Sequence, residues 1–356
     1  MGNINKKYYI FILLSLVIGI TYKFFLTKET SFSTEHTPIV MSAETIIPES
    51  EKPKLNIVDY DKKILENANL QVQTISSSST STLSSSAWPV KTTYPNFGAL
   101  LPFNRIVAYY GNLYSKYMGV LGEYPENIML DKLLVEVNKW EKADPKTAVI
   151  PALHYIAVVA QAGPGRDGKY RARMPDKEID KVLSIAKKIN ALVFLDIQLG
   201  FSNLETELPL LKKYLKLPNV HLGIDPEFAM PGSKRPGTVI GTLDAKQINI
   251  AANFLATTVQ ENNLTPKILV IHRFTKPMVT NYKNITPLPE VQIVIDMDGF
   301  GSRGSKLNTY KQYITKEPVQ FTGFKLFYKN DIVNSTILTP EDLLKLTPIP
   351  LYIQFQ

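Results

Sequence analysis

The sequence contains no cysteine, which excludes disulfides, thiolate metal sites, a cysteine nucleophile and a lipidated N-terminal cysteine as a membrane attachment. Tryptophan occurs twice and histidine four times in 356 residues. His36, His154, His221 and His272 stand far apart with no His-x-His pair, so a binuclear metallohydrolase centre is not expected. No glycine-rich dinucleotide loop follows the first strand-like run. Neither a metal nor a cofactor is expected.

What is present is ordinary globular material, 44% hydrophobic and 20% charged, enough for a sizeable core. The net charge of +8 attracts polyanions in principle. Its lysines are scattered over solvated helical faces, as at Lys212, Lys213 and Lys216, and nucleic acid is not an expected partner.

Three regions follow along the chain. Residues 1–26 hold Lys6 and Lys7, then an apolar run from Tyr8 to Tyr22, with Phe24, Phe25 and Leu26 beyond Lys23. This is the pattern of a membrane-inserting segment. A full span takes about 20 residues, which the run reaches if Lys23 snorkels. No small-x-small cleavage site follows, so an uncleaved single-pass anchor is expected, with the rest of the chain extracytoplasmic. Residues 27–87 are polar and end in the serine tract Ser76–Ser86, and they are expected to form a disordered linker. Residues 88–356 are expected to be the folded domain.

In that domain eight strand-like runs alternate with helical patterns: Ile106–Tyr110, Ala148–His154, Leu192–Gln198, Val220–Asp225, Ile268–His272, Val291–Asp296, Phe321–Leu326 and Leu351–Gln354. Helix starts are expected at Asp176, at Ser202 with Glu205, at Asp244, and at Thr339 followed by Pro340. Eight βα units predict an α/β fold, a (β/α)8 TIM barrel, rather than an open doubly wound sheet. Because the sequence ends at the eighth strand, the last helix is not expected.

A barrel of this kind builds its site at the carboxyl ends of its strands. The residues expected there are Tyr110 and Asn112, His154, Asp196 and Gln198, Asp225 and Glu227, His272 and Arg273, Asp296 and Asp298, Lys325, and Tyr352 with Gln354. Strand alternation sharpens the set. If Val193 and Leu195, Leu222 and Ile224, and Ile293 and Ile295 face the helices, then Asp196 with Gln198, Asp225 with Glu227, and Asp296 with Asp298 face inward. Carboxyls crowded in one cavity raise at least one pKa, placing a protonated acid beside an ionised base. Glycoside hydrolysis needs such a pair. Glu227, Asp225 and Asp296 are the catalytic candidates, and the remaining strand-end residues are expected to bind substrate. Lys325 is expected to pair with Asp296 or Asp225. The segment from Tyr155 to Met174, with Gly163, Gly165 and Gly168, is expected to be a lid-like loop.

The run Leu222, Gly223, Ile224, Asp225, Pro226, Glu227 resembles the fourth-strand Asp-x-Glu of glycosidase barrels, as in the chitinase-like family and the lysozyme-like muramidases. The resemblance implies that Glu227 is the general acid and that Asp225 assists it, with Asp296 a looser match to the acidic residue those barrels carry on the sixth strand. It departs from the muramidase pattern at Tyr110 and Asn112, where an Asp ends the first strand. It departs from the chitinase pattern at His221 and Gly223, and at Tyr352 in place of Trp. The region as a whole also resembles bacterial extracytoplasmic domains.

The function expected is therefore a membrane-tethered glycoside-hydrolase-like enzyme acting on a cell-wall or amino-sugar glycan, or on another small polar substrate. One alternative is a metal-dependent phosphodiesterase-like barrel, with Asp196, Asp225, Glu227 and Asp296 as oxygen ligands. For it, Gly122–Asn127 resembles the glycerophosphodiester family, although Tyr109 and Tyr110 stand where that family has a His-Arg pair. Another alternative is a noncatalytic glycan-binding surface protein, which has no need for two neighbouring inward carboxyls.

Overall fold

A computed structural model describes residues 53–70 and 87–356. Among these, no helix is long and apolar enough to cross a membrane, and the run from Tyr8 to Tyr22 lies outside them. The elements, in chain order, are α1 (Ile57–Ala68), β1 (Asn104–Gly111), α2 (Val120–Glu123), α3 (Glu126–Ala143), β2 (Ala148–Ala160), β3 (Arg171–Arg173), α4 (Asp176–Lys187), β4 (Leu192–Ile197), α5 (Leu204–Leu215), β5 (Val220–Ile224), β6 (Leu243–Asp244), α6 (Ala245–Glu261), β7 (Lys267–Arg273), β8 (Val279–Thr280), β9 (Val291–Met297), α7 (Arg303–Tyr310), β10 (Phe321–Leu326), α8 (Pro340–Leu343) and β11 (Tyr352–Phe355).

The eight expected strands are β1, β2, β4, β5, β7, β9, β10 and β11. All pair in parallel, and β1 bonds to both β2 and β11, so the sheet closes into a barrel. Apart from the first residues of β1 and β2, the eight strands are buried on both faces, and this is why the runs are dense in Val, Ile, Leu and Phe. Residues at one parity, including Val193, Leu195, Leu222, Ile224, Ile293 and Ile295, pack outward against the helices. Residues at the other parity fill the interior, whose lower part is apolar: Ile106, Ala108, Ala152, Phe194, Ile268, Val270, Val294 and Phe321. The fold class expected from the sequence is the one observed.

The helix starts are partly as expected. Asp244 caps α6 in a capping box with Gln247, and Thr339 caps α8 with Pro340 at the first position. At α5 the cap is Asn203, whose side chain accepts from Thr206 N–H, so Ser202 is one residue too early. Asp176 lies inside α4 and pairs with Lys213 instead of capping it. Pro125, Glu126 and Asn127 begin α3, so this stretch serves as a helix start.

Two stretches differ from expectation. Inside the segment expected to be a disordered linker, Ile57–Ala68 is helical. Asn56 caps one end, and Asn69 closes the other in the left-handed conformation with φ 50°. Tyr60, Ile64 and Ala68 share one side at helical spacing, and Tyr60 belongs to the apolar group at the barrel's lower end with Leu101 and Ile106. Asn67 and Asn69 donate to Ile349 O at 2.7 Å and Leu346 O at 2.8 Å, which ties the helix to the segment before β11. The second difference is the expected lid. β2 continues through Ala160 and forms a hairpin with β3, so the loop shrinks to residues 161–170. The fully buried carboxylate of Glu207 pins this hairpin, accepting from Arg171 at 2.8 Å and Arg173 at 2.6 Å.

Tyr60 is 4% exposed, and truncating a buried aromatic costs about 3–5 kcal/mol. Tyr60→Ala in the full chain should therefore lower unfolding free energy by about 3 kcal/mol in urea titration. A loss below about 0.5 kcal/mol, the scale of a surface substitution, would show that α1 is not part of the folding unit.

Candidate active site

The upper end of the barrel is polar because the inward parity changes composition there. Tyr110, His154, Asp196, His272, Asp296, Lys325, Tyr352 and Gln354 all lie at inward positions and are at most 3% exposed. Two glycines make this possible. A methyl group at Gly223 would stand 2.3 Å from His154 Nε2 and 2.5 Å from Asp196 Oδ1. One at Gly323 would stand 2.5 Å from Asp296 Oδ1. Glycine inside a strand commonly marks such a close approach. These residues were not expected from the sequence, although each stands at the inward parity, two positions before Asp225 and Lys325.

His272 sits at the centre of the cluster. Its Nδ1 lies 3.1 Å from Asp298 Oδ2 and 3.4 Å from Asp296 Oδ2, and its Nε2 lies 3.6 Å from Asp196 Oδ1. Burial disfavours the imidazolium, but Asp196 with the other two carboxyls outweighs it, and the His272 pKa stands well above its ordinary value. Asp196 is correspondingly held below the usual carboxylate range despite its burial, and it accepts from the Tyr110 hydroxyl at 3.0 Å. His154 is neutral: burial lowers its pKa to about 4. Its Nδ1 meets the Tyr352 hydroxyl at 2.5 Å and the Gln354 amide at 3.1 Å.

Lys325 pairs with Asp298 at 2.9 Å, not with Asp296 or Asp225, and lies 3.8 Å above the Tyr110 ring. Burial alone would raise the Asp298 pKa, yet Lys325 and His272 overcome it and hold this carboxyl below its ordinary value. Asp296 has no such excess of cations beside it, and burial raises it.

Asp225 and Glu227 stand together at the end of β5. Asp225 caps the short turn Pro226–Phe228, with its Oδ1 accepting from Glu227 N–H at 3.0 Å, while its Oδ2 lies 3.4 Å from Gln198 Nε2. Burial pushes Asp225 up to about 7, opposed by His272 and helped by Asp196 and Asp298. Glu227 is raised well above the ordinary range, first by burial and next by Asp225. Glu227 is nevertheless half-buried rather than buried. Among the acidic residues of the cluster, Asp196, Asp225, Asp296 and Asp298 are buried and Glu227 is the partly exposed one.

Two residues expected to bind substrate are structural. The Arg273 guanidinium is fully buried and donates to the carbonyls of Thr275, Tyr313, Lys276 and Val279, with Glu317 as its ion-pair partner. Adjacent strand residues face opposite ways, so with His272 inside the barrel, Arg273 is outside it. Asn112 donates to Ile156 O at 2.9 Å and accepts from Tyr114 N–H at 2.9 Å, closing the loop after β1. Gln198 is bound through Oε1 to Ala160 N–H at 3.0 Å, which aims its amide at Asp225 and Tyr110. A cavity of about 620 Å3 opens elsewhere, between the segments 90–93, 282–287 and 318–319, and contains none of these strand-end residues.

Neither family models nor curated proteins give a match to this sequence. Among solved structures, the cellulose synthase subunit Z from Clostridioides difficile is similar at 9% identity and a TM-score of 0.35, over 71% of this chain and 92% of that one. A ruminal GH26 endo-beta-1,4-mannanase is similar at 12% identity and a TM-score of 0.32, over 70% of this chain and 58% of that one. The dihydropteroate synthase of Burkholderia cenocepacia is similar at 11% identity and a TM-score of 0.29, over 73% of this chain and 87% of that one.

Proposed function

We propose that the protein is a glycoside-hydrolase-like enzyme in which Glu227 protonates the leaving glycosidic oxygen and Asp298 is the ionised carboxylate that faces it. The observation that carries this reading is the state of Glu227. Its carboxyl accepts no hydrogen bond and joins no ion pair among the described residues, the residue is only partly buried, and burial together with Asp225 raises its pKa well above the ordinary carboxylate range, favouring the protonated form. A general acid needs a proton at working pH and a path to the substrate oxygen.

Glycoside hydrolysis also needs an ionised carboxylate, to stabilise or attack the oxocarbenium-like carbon or to activate water. Asp296 was the sequence-based candidate for this part. It lies two residues deeper on β9 than Asp298, is fully buried, and is pushed toward the neutral form. Asp298 is nearer the mouth and is kept ionised by Lys325 and His272, so the role passes to it. Asp225 fixes the turn that carries Glu227 and discourages its ionisation. An amino-sugar or cell-wall glycan as substrate, and attachment to a membrane through the apolar run near the N-terminus, belong to the same proposal and are supported by the sequence pattern.

Glycan release from purified peptidoglycan and from chitin oligomers by the full chain tests this reading. Glu227→Gln and Asp298→Asn should each reduce release by about 100-fold or more, the typical contribution of a positioned acid or base. In the parent protein the rate should fall on the alkaline side only well above pH 4.5, the ordinary Glu value, as Glu227 loses its proton. Undiminished release by Glu227→Gln would refute the assignment.

The elevated Asp225 pKa also has a stability signature. Its value rises from 3.8 in the unfolded chain to about 7 in the fold, so between these limits the folded protein holds a proton that the unfolded chain has lost. Its contribution is complete below pH 3.8 and disappears as pH approaches 7, because stability falls with pH where the folded state binds more protons. Asp225→Asn should remove that decline from urea unfolding measured across this window. An unchanged slope would mean that Asp225 titrates normally.

A further inference from the structure

Beneath the acid pair, three side chains turn unpaired ligand atoms toward one another. His154, His272 and Asp196 each offer a donor atom, and the three atoms lie within 4.8 Å of one another. His154 Nε2 is 3.4 Å from Asp196 Oδ1, and His272 Nε2 is 3.6 Å from the same oxygen. None of these three atoms has a hydrogen-bond partner, although all three residues are fully buried. Of thirteen such atoms among the described residues, seven belong to His154, Asp196, His272, Asp296 and Gln354. Buried polar atoms are normally satisfied, so this concentration points to a ligand that meets them together.

We propose that His154, Asp196 and His272 form a binding site for one first-row divalent transition ion of the Zn2+ type. The donor set is right for it: two imidazoles and a carboxylate, with no thiolate. The spacing is right as well. Bonds of about 2.0–2.1 Å in a tetrahedral arrangement place ligand atoms about 3.3–3.4 Å apart; the two His–Asp separations are 3.4 and 3.6 Å, and the two imidazole nitrogens lie within 4.8 Å of each other.

The surroundings match a metal site in two further respects. Metal-bound imidazoles characteristically engage their second nitrogen with a carboxylate or another polar group. His272 Nδ1 faces Asp298 at 3.1 Å and Asp296 at 3.4 Å, His154 Nδ1 faces the Tyr352 hydroxyl at 2.5 Å, and the second oxygen of Asp196 is held by Tyr110 at 3.0 Å. His154 and Asp196 are thus oriented by hydrogen bonds through the atom they do not offer to the ion, while His272 Nδ1 has two carboxyls close by without a formed hydrogen bond. Gly223 supplies the room, since a side chain there would come within 2.3 Å of His154 Nε2 and 2.5 Å of Asp196 Oδ1. With three protein ligands the ion keeps at least one open coordination position. The site does not include Glu227; His272 would bind the ion as a neutral imidazole, releasing the proton from Nε2, and the charge of the ion would then face Asp196 in place of the imidazolium.

The experiment uses the full chain without a histidine tag, produced in zinc-supplemented medium and dialysed against trace Zn2+, with metal content measured per chain. About one Zn2+ per chain is expected, with at least a tenfold loss of occupancy in Asp196→Asn and, independently, in Gly223→Ala, whose methyl group occupies the ion's place. Circular dichroism confirms that the variants are folded. Because ligand changes in a core can prevent folding, the parent protein is also loaded with Co2+, whose visible absorption should be the intense spectrum of a four- or five-coordinate ion with nitrogen ligands. A parent protein that retains no Zn2+, a weak six-coordinate Co2+ spectrum, or folded variants that keep their full complement would each overturn the proposal.

Discussion

The upper barrel depends on one electrostatic constraint: several ionisable groups are enclosed where an isolated charge costs several kcal/mol. The arrangement around His272 meets that constraint. Two groups held in the anionic form, Asp196 and Asp298, face the imidazolium of His272 and the ammonium of Lys325. His272 and Lys325 also favour ionisation of Asp225, Asp296 and Glu227, but burial, with neighbouring carboxyls, outweighs them, and all three are driven toward the neutral form. The protonated acid of the proposed reaction is therefore a consequence of burial and of the carboxyls beside it.

The same constraint explains the division between the barrel's two ends. The lower interior is filled by Ile106, Ala108, Phe194, Ile268 and Val294 and is closed by α1 through Tyr60. Rigid apolar packing there holds the strand ends in fixed register, and a buried polar network gains from such rigidity only when its members are kept in place. Gly223 and Gly323 connect the two requirements. They remove side chains from the tier where the histidines and aspartates crowd, and the surrounding β-branched residues supply the stiffness these glycines lack.

Much of this was legible in the sequence, for a definite reason. Side chains alternate along a barrel strand, so the count of strands and their inward parity follow from the residues themselves, while the limits do not, as the extension of β2 from His154 to Ala160 shows. That is why Asp196, Asp225, Asp296 and Asp298 could be placed inside beforehand. What was not legible depended on partners distant in sequence. Helix α1 shows only Tyr60, Ile64 and Ala68 on one face within a polar stretch, and its stability comes from Leu101 and Ile106 and from the carbonyls near residue 349. Arg273 resembled a substrate ligand because it adjoins His272. Its carbonyl partners and Glu317 occur in later segments with no charge pattern to announce them.

Depth along the strand then separates chemistry from support. Asp298 follows the last residue of β9, two positions toward the mouth from Asp296, and although His272 Nδ1 lies within 3.4 Å of both carboxyls, Asp298 is the one nearer the opening. At the rim are Glu227, Asp298, Lys325 and Gln198. One tier down are His272, Asp196, His154 and Asp296, all with no solvent exposure. A side chain in the lower tier acts by shifting the charge of the tier above it: His272, after Lys325, lowers the Asp298 pKa, and Asp196 adds to the field that raises that of Asp225. In the proposed reaction the aspartate most prominent in the sixth-strand pattern is therefore the supporting one, and the proposed acid–base pair is the two carboxyls just beyond the strand ends.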